Sequence, residues 1–242
     1  MKKYKLLALL LSLTMLPACA SQDMSIVDQN GKTIQVASDG KDTYTFKLPS
    51  EKQTELSSWD NPFIDVTESD WFYKSVRYCH ENRLVRGTTE NTYSPSQPTS
   101  RAMIVSILWR LEGSPDTGTA AFTDVPANQY YADAVAWAAS EGIVSGYSED
   151  TFAPEQAITR EQMASILYRY AEYHHWDTTI TTMLDRFTDA HTASAYAEDA
   201  LSWAASHGII SGMEDNLLTP YGEATRAQVA AILMNLCENF AI

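Results

Sequence analysis

Three arginines each follow a hydroxyl residue at the start of a predicted helix, in Ser100-Arg101, Thr159-Arg160 and Thr225-Arg226. A helix N-terminus favours an anion through its free backbone N–H groups and the helix dipole. A guanidinium placed there can hold a carboxylate by two parallel hydrogen bonds. A single Thr-Arg pair would be interpreted as a solvated first-turn residue or a surface salt bridge. Because the arginine is kept at all three places while most neighbours differ, the pattern predicts carboxylate binding.

An aromatic residue stands just before another predicted helix in each of the same three segments. These residues are Trp71, Tyr130 and Tyr196. Their rings offer a flat apolar surface to a sugar ring, and packing at the start of the helix explains them equally well. Trp137 and Trp203 are predicted to lie in the core. The recurring Asp65, Asp124 and Asp189 indicate turn or cap chemistry rather than catalysis.

The elements that must position these side chains occur in three copies. Each copy has a first helix, a short link with a glycine and a proline, and a second helix. In the second copy the apolar residues are spaced i, i+3, i+4, i+7 in both helices, which is one face of a helix. These residues are Tyr131, Ala134, Val135 and Ala138, then Met163, Ile166, Leu167 and Tyr170.

The boundaries of the copies follow from their start and stop signals. Thr159 and Thr225 begin Thr-x-x-Gln capping boxes, whereas Ser100 keeps the capping hydroxyl without the Gln. Gly142 and Gly208 are placed where a helix ends in a left-handed residue, and Arg83 replaces that glycine in the first copy. The sequence predicts a mainly α protein with helix-loop-helix units at 61–114, 120–174 and 185–242, here called repeats 1, 2 and 3.

The N-terminus has the pattern of an export signal. Three lysines precede an apolar run that is too short to span a bilayer, and 1–18 is predicted to be a signal peptide. Leu16-Pro17-Ala18-Cys19 resembles a lipobox, which would make Cys19 the lipidated first residue of the mature chain. Ala18-Cys19-Ala20 also fits ordinary signal peptidase, with cleavage after Ala20. A lipid on Cys19 would attach the chain to the membrane.

The segment 19–60 is predicted to be a tether with a small β-sheet. The runs 25–27 and 33–36 flank Asn30-Gly31, a hairpin signal, and alternation at 43–48 is compatible with a third strand. An exported chain could pair Cys79 with Cys237, although both lie on helical apolar stripes where a buried thiol is the simpler interpretation.

The ordered series of motifs resembles the S-layer homology (SLH) repeat of bacterial surface proteins. In repeat 2 it comprises Phe122-Thr123-Asp124-Val125, Gly142-Ile143-Val144-Ser145-Gly146, Thr151-Phe152-Ala153-Pro154 and Thr159-Arg160-Glu161-Gln162. Each motif is weak alone, but the series occurs three times over about three quarters of the chain.

The resemblance implies one pseudo-threefold domain with grooves between neighbouring repeats. In the family these grooves hold a secondary cell-wall polysaccharide, often through the carboxylate of a pyruvate-ketal sugar. The matching ligand-binding residues here would be Arg101, Arg160, Arg226, Trp71, Tyr130, Tyr196, Gly142 and Gly208. Because Arg83 replaces the glycine and the capping Gln is missing, repeat 1 is the candidate for a degenerate site.

The predicted function is therefore non-covalent anchoring of an exported protein at the cell wall and the outer face of the cytoplasmic membrane. The net charge of −14, without a basic block, argues against nucleic acid. No pair of carboxylates, nucleophile motif or metal-ligand spacing stands out, so neither catalysis nor a metal or cofactor is predicted. The alternative is a surface adaptor of the same fold that binds a protein partner or peptidoglycan.

Overall fold

The computed structural model describes three strands between residues 24 and 47, and residues 59–119, 122–181 and 184–241. Two compact units divide the chain, one ending at Trp59 and one spanning Asp60–Ile242. The predicted signal peptide at 1–18, Cys19 and the Asn30-Gly31 turn lie outside the described residues. None of the helices described has the length and apolar character needed to cross a membrane.

A three-stranded antiparallel sheet forms the regular part of the first unit. Its strands are β1 (Met24–Val27), β2 (Thr33–Ser38) and β3 (Tyr44–Lys47), in the order β1-β2-β3. Met24 pairs with Val36 across β1 and β2, and Val36 pairs with Phe46 across β2 and β3. The strands lie where the alternation and the hairpin signal predict them.

The described residues of the second unit form six α-helices, two in each predicted repeat. They are α1 (Tyr73–Glu81), α2 (Arg101–Leu111), α3 (Ala132–Ser140), α4 (Arg160–Tyr173), α5 (Glu198–Ser206) and α6 (Arg226–Phe240). The mainly helical fold class is confirmed. Both predicted capping boxes are formed, at Thr159 with Gln162 and at Thr225 with Gln228. Ser100 accepts a hydrogen bond from the N–H of Met103, so α2 is capped without the reciprocal Gln.

The helices pack between repeats rather than within them. The second helix of each repeat packs on the first helix of the next, giving the pairs α2–α3 and α4–α5. The last helix, α6, packs on the first, α1, and so closes the three repeats into a ring. A helical repeat of this kind cannot bury its apolar stripes alone, because each stripe faces a helix of its neighbour.

Three backbone hydrogen bonds close the same ring where the second helices begin. The N–H of Thr99 donates to Ala224 O (3.0 Å), that of Ala224 to Ile158 O (2.8 Å), and that of Ile158 to Thr99 O (2.9 Å). Each residue belongs to a different repeat and comes two positions before Arg101, Arg160 or Arg226. The three arginines therefore emerge around one pseudo-threefold axis.

The predicted core residues lie inside this ring. Trp137 is 3% exposed and Trp203 is fully buried, which confirms their assignment to the core. Cys79 and Cys237 are buried free thiols, and Cys79 donates from Sγ to Ala230 O. Burial raises the pKa of both thiols, so they are protonated and unreactive at neutral pH.

Candidate functional site

Each predicted arginine reaches into the link of the following repeat. The guanidinium of Arg101 donates from Nε to Phe152 O (3.0 Å) and from Nη2 to Ser145 O (3.1 Å), both in repeat 2. Arg101 and Arg160 are only 6% and 4% exposed, and Arg226 is partly exposed. The equivalent bonds join Arg160 to Leu218 O and Ser211 O, and Arg226 to Tyr93 O and Arg86 O.

These contacts leave one edge of each guanidinium available. Within the described residues, Nη1 of Arg101, Arg160 and Arg226 has no hydrogen-bond partner. A guanidinium carries five N–H donors, of which two are used by the carbonyls of the neighbouring repeat. The edge formed by Nη1 and the second hydrogen of Nη2 can still donate two parallel hydrogen bonds to a carboxylate.

The backbone N–H groups at these helix starts are not available, contrary to the prediction. The N–H groups of Arg101 and Ala102 donate to Gln156 O and Pro154 O, and the other two repeats repeat this arrangement. The next N–H is bonded by the capping hydroxyl of Ser100, Thr159 or Thr225. The hydrogen bonds between repeats and the caps therefore occupy the backbone N–H groups that an isolated helix start would offer. Any anion must bind through side chains.

An aspartate in each repeat holds the link that the arginine contacts. The two carboxylate oxygens of Asp124 accept hydrogen bonds from the N–H groups of Phe152 (2.9 Å) and Ala153 (2.7 Å). Ala153 has φ +59°, a left-handed conformation that a non-glycine residue rarely adopts. The turn role predicted for this aspartate series is confirmed. Asp65 binds the N–H groups of Tyr93 and Ser94, and Asp189 those of Leu218 and Thr219.

Three grooves result, and each is assembled from three repeats. Every groove combines the arginine of one repeat, the link and second helix of the next, and the predicted aromatic residue of the one after. Groove A holds Arg226, the link 84–87, α2 and Tyr130. Groove B holds Arg101, the link 144–147, α4 and Tyr196. Groove C holds Arg160, the link 211–217, α6 and Trp71.

The aromatic side chains are exposed towards solvent within these grooves. Trp71, Tyr130 and Tyr196 are 66%, 63% and 57% exposed, which packing at a helix start alone does not explain. Tyr196 is held by a hydrogen bond from its hydroxyl to the buried Glu161 (2.9 Å). Burial and this hydrogen bond raise the pKa of Tyr196, so its hydroxyl remains a neutral donor at physiological pH.

The glycines that end the first helices and the glycines further along the links have different roles. Gly142 and Gly208 have φ +72° and +67° at the helix ends, and Arg83 adopts the same conformation with φ +60°. Neither glycine is among the residues that line grooves A, B and C, so their ligand contact stays a prediction. The second glycines do line the grooves. They are Gly87, Gly146 and Gly212.

The sequence profile of the S-layer homology domain matches residues 62–102, 121–164 and 186–230. These matches cover more than half of the chain. The chain belongs to the S-layer homology domain family. Each match falls within one of the three repeats and ends inside its second helix.

Similar segments occur in much longer proteins. The chain is 31% identical over 81% of its length to an amylopullulanase from Thermoanaerobacterium thermosulfurigenes, of which it covers 10%. It is 30% identical over 71% of its length to the surface-layer 125 kDa protein of Lysinibacillus sphaericus, of which it covers 14%. It is 24% identical over 62% to a cellulosome-anchoring protein of Acetivibrio thermocellus, covering 34% of that protein. The chain thus spans a tenth to a third of these relatives.

The three SLH grooves differ in charge. On the second helix, groove A has Arg110 and groove B has Arg169 where groove C has Asn235. Groove C is also lined by Glu214 and Asp215, whereas none of the described residues that line groove A or groove B is acidic. Grooves A and B are therefore the more favourable ones for an anion.

Burial shapes the electrostatics of the arginines. Desolvation lowers the pKa of Arg101 and of Arg160, and the carboxylate of Asp189 acts in the opposite direction on Arg160. For Arg101 the nearby Arg169 adds a further lowering effect, because two like charges face each other. An arginine remains charged at physiological pH nevertheless. An anion placed in the groove would relieve this repulsion.

Several residues that line the SLH grooves were not among the site residues predicted from the sequence. Arg110 and Arg169 recur nine positions after the groove arginine, and alignment of the repeats could have revealed them. The second glycines recur as well, but their closeness to backbone oxygens is a tertiary property. Outside the grooves, His174 bonds Glu112 at 2.8 Å and stacks on Trp176. Among the residues described, no group of His, Cys, Asp and Glu could hold a metal ion.

Proposed function

We propose that this chain anchors to the bacterial cell wall by binding a secondary cell-wall polysaccharide in grooves A, B and C. The observation that carries the proposal is the threefold combination of an arginine with a free guanidinium edge and an exposed aromatic ring from another repeat. The arginine binds the carboxylate of a pyruvylated sugar, and the aromatic ring packs on the sugar. The ligand residues remain Arg101, Arg160, Arg226, Trp71, Tyr130 and Tyr196, with Gly142 and Gly208 nearby.

The chemistry of the grooves supports an acidic sugar as the ligand. A carboxylate can accept two parallel hydrogen bonds from the Nη1–Nη2 edge, because Nε and the other Nη2 hydrogen already hold the neighbouring link. Each guanidinium is thereby fixed before the ligand arrives, which reduces the entropy lost on binding. Grooves B and C offer about 380 and 610 Å³, within the usual range for small-molecule sites.

The relatives support a task that is independent of catalysis. The same repeats occur in proteins named as an amylopullulanase, a surface-layer protein and a cellulosome-anchoring protein. A segment shared by proteins of such different kinds does not serve one enzymatic activity, and two of the names point to the surface layer and to anchoring. We therefore assign this chain an attachment function rather than an enzymatic one.

A second attachment at the N-terminus completes the proposal. The chain is exported, and a lipid on Cys19 holds it at the outer face of the cytoplasmic membrane. One acyl-bearing residue and a wall-binding domain would give the two signals that stable anchoring needs. Mass spectrometry of the native protein should detect a lipid-modified Cys19. An unmodified N-terminus at Ser21 would rule the lipid out and leave wall binding untouched.

Cosedimentation with purified wall sacculi tests the wall-binding proposal. Native sacculi should pellet the protein, and sacculi stripped of their secondary polymer should not. Equal binding to both preparations would indicate peptidoglycan as the ligand. Absence of binding to either would favour the alternative, an adaptor whose grooves face a protein partner.

A further inference from the structure

Thr99 has a buried side-chain hydroxyl that makes no hydrogen bond within the described part of the chain. It is 3% exposed, and among the described residues its Oγ1 is the one buried side-chain oxygen or nitrogen without a hydrogen-bond partner. Leaving a buried hydroxyl unpaired costs on the order of 1–3 kcal/mol. Buried polar groups in proteins are almost always paired, so an exception requires an explanation.

The other two repeats show that the fold itself does not require a hydroxyl here. Ile158 and Ala224 occupy the equivalent places in the backbone ring, and both are fully buried. The backbone N–H and C=O of Thr99 make the same hydrogen bonds as theirs. An apolar residue would therefore satisfy the structure at position 99 as it does at 158 and 224.

Thr99 is also a lining residue of groove A. This groove places Thr99 together with Arg226, Arg110 and the exposed ring of Tyr130. Nη1 of Arg226 has no partner among the described residues, and Arg110 donates from Nη2 to Leu84 O (3.1 Å). Groove A is the smallest of the three, at about 160 Å³, so a group that enters it lies close to the walls.

We propose that Thr99 is a ligand-contacting residue of groove A, whose hydroxyl hydrogen-bonds an acidic sugar held by Arg226 and Arg110. This inference rests on the proposed wall-polysaccharide function and names the groove that is specialised for the acidic group. It reverses the expectation that repeat 1 carries the degenerate site. Arg83 keeps the left-handed helix end without the glycine, and the link of repeat 1 lines a groove without acidic residues.

Two methionines provide local reporters for the test. Met103 lines groove A and Met213 lines groove C. With the methionine methyl groups labelled by ¹³C, NMR titration with a short oligosaccharide released from wall sacculi would follow grooves A and C separately. The same oligosaccharide with its carboxyl groups reduced to alcohols serves as the neutral comparison, and cosedimentation with native sacculi runs in parallel.

Thr99→Val preserves the shape and removes the hydroxyl. It should raise the melting temperature by a few degrees, because an unpaired buried hydroxyl is lost. It should also weaken the Met103 titration by roughly tenfold, as loss of a hydrogen bond to a charged group does, while the Met213 titration is unchanged. Thr99→Ser should keep wild-type affinity, and Thr123→Val, outside the grooves, should change neither titration.

An unchanged Met103 titration in Thr99→Val, with wild-type binding to sacculi, would overturn the assignment of Thr99 and leave wall anchoring intact. A Met103 titration by the carboxyl-reduced oligosaccharide equal to that by the acidic one would overturn the acidic specificity of groove A. Failure of the wild-type protein to bind sacculi or oligosaccharide would instead remove the wall-binding function on which the inference rests.

Discussion

At the scale of single residues, each groove arginine has two tasks. Its Nε and Nη2 hold carbonyl groups of the next repeat, and its remaining edge faces the groove. The sequence predicts the second task from the Thr-Arg pattern but not the first, because the carbonyl partners lie more than forty positions away. Substitution of these arginines therefore affects stability and binding together, and both must be measured.

Arg160→Ala should lower both properties. Leu218 O and Ser211 O lose their donors, which we expect to reduce the free energy of unfolding by about 2–4 kcal/mol. Cosedimentation with sacculi, performed where the variant is still folded by circular dichroism, should fall at least about tenfold. Arg226→Ala should likewise lower both the stability and the binding to sacculi. Arg83→Asn, which removes an exposed cation outside the grooves, should bind normally. Wild-type binding after loss of all three groove arginines would refute their role.

Because of Asp189, the folding stability of the protein should depend on pH in the acidic range. Burial raises the pKa of its carboxyl, but hydrogen bonds from the Leu218 and Thr219 N–H groups outweigh it, and the net shift is downward. A lowered folded-state pKa stabilises the protein above the unfolded-state pKa of about 3.9, and this stabilisation is lost as the pH falls through the folded-state value. Asp189→Asn should be less stable at neutral pH and lose less stability on acidification.

Urea unfolding at several pH values between neutral and about pH 3 measures this difference. Asp116→Asn is the control, because Asp116 is exposed and its substitution removes an equal charge. It should retain the wild-type loss of stability in acid. Parallel pH profiles for the wild type and Asp189→Asn would contradict the stabilising role of the carboxylate.

At the scale of elements, the links have conformations as well defined as those of the helices. The side-chain periodicity predicts all six helices because their apolar stripes are regular, and α2, α4 and α6 also begin with capping residues. It does not predict which helices pair, since an apolar stripe fits a helix of its own repeat or of the next one. The three backbone bonds at Thr99, Ile158 and Ala224 are likewise invisible in a sequence, because they connect segments 59, 66 and 125 residues apart.

Gly146→Ala tests the shape of a link. An added Cβ would overlap the carbonyl oxygens of Ser148 and Thr151 and lie 2.7 Å from Cε1 of Phe122. We expect a loss of about 1–3 kcal/mol in unfolding free energy, with weaker binding in groove B, because Gly146 and Tyr147 share this link. Gly118→Ala is the matched control, because its added Cβ would meet no atom within 4 Å. Equal melting temperatures for both variants would contradict the steric account.

At the scale of the whole molecule, the ring explains why the grooves need three repeats. Each groove takes parts from all three, and α6 must pack on α1 before the groove at Arg226 exists. The repeated motifs allowed the resemblance and the pseudo-threefold architecture to be predicted from the sequence. The order in which the repeats contribute to each groove could not, because it depends on the direction of ring closure.

The acidic net charge of −14 bears on how an anionic polymer is bound. Removal of residues 1–18, with three lysines and no acidic residue, would make the charge more negative still. At physiological salt the screening length is about 8 Å, so repulsion fades outside close contact and local hydrogen bonds dominate. Affinity for sacculi should therefore change less than about threefold between low and high salt. A steep salt dependence would indicate diffuse charge attraction instead.

A crystal structure of the protein with an oligosaccharide released from the wall would show whether the grooves bind the acidic sugar. We expect a sugar ring against Trp71, Tyr130 or Tyr196, with its carboxylate hydrogen-bonded to the free Nη1–Nη2 edge of the arginine in the same groove. A ligand bound on the outer surface of the ring, or in a groove without contact to Arg101, Arg160 or Arg226, would contradict it.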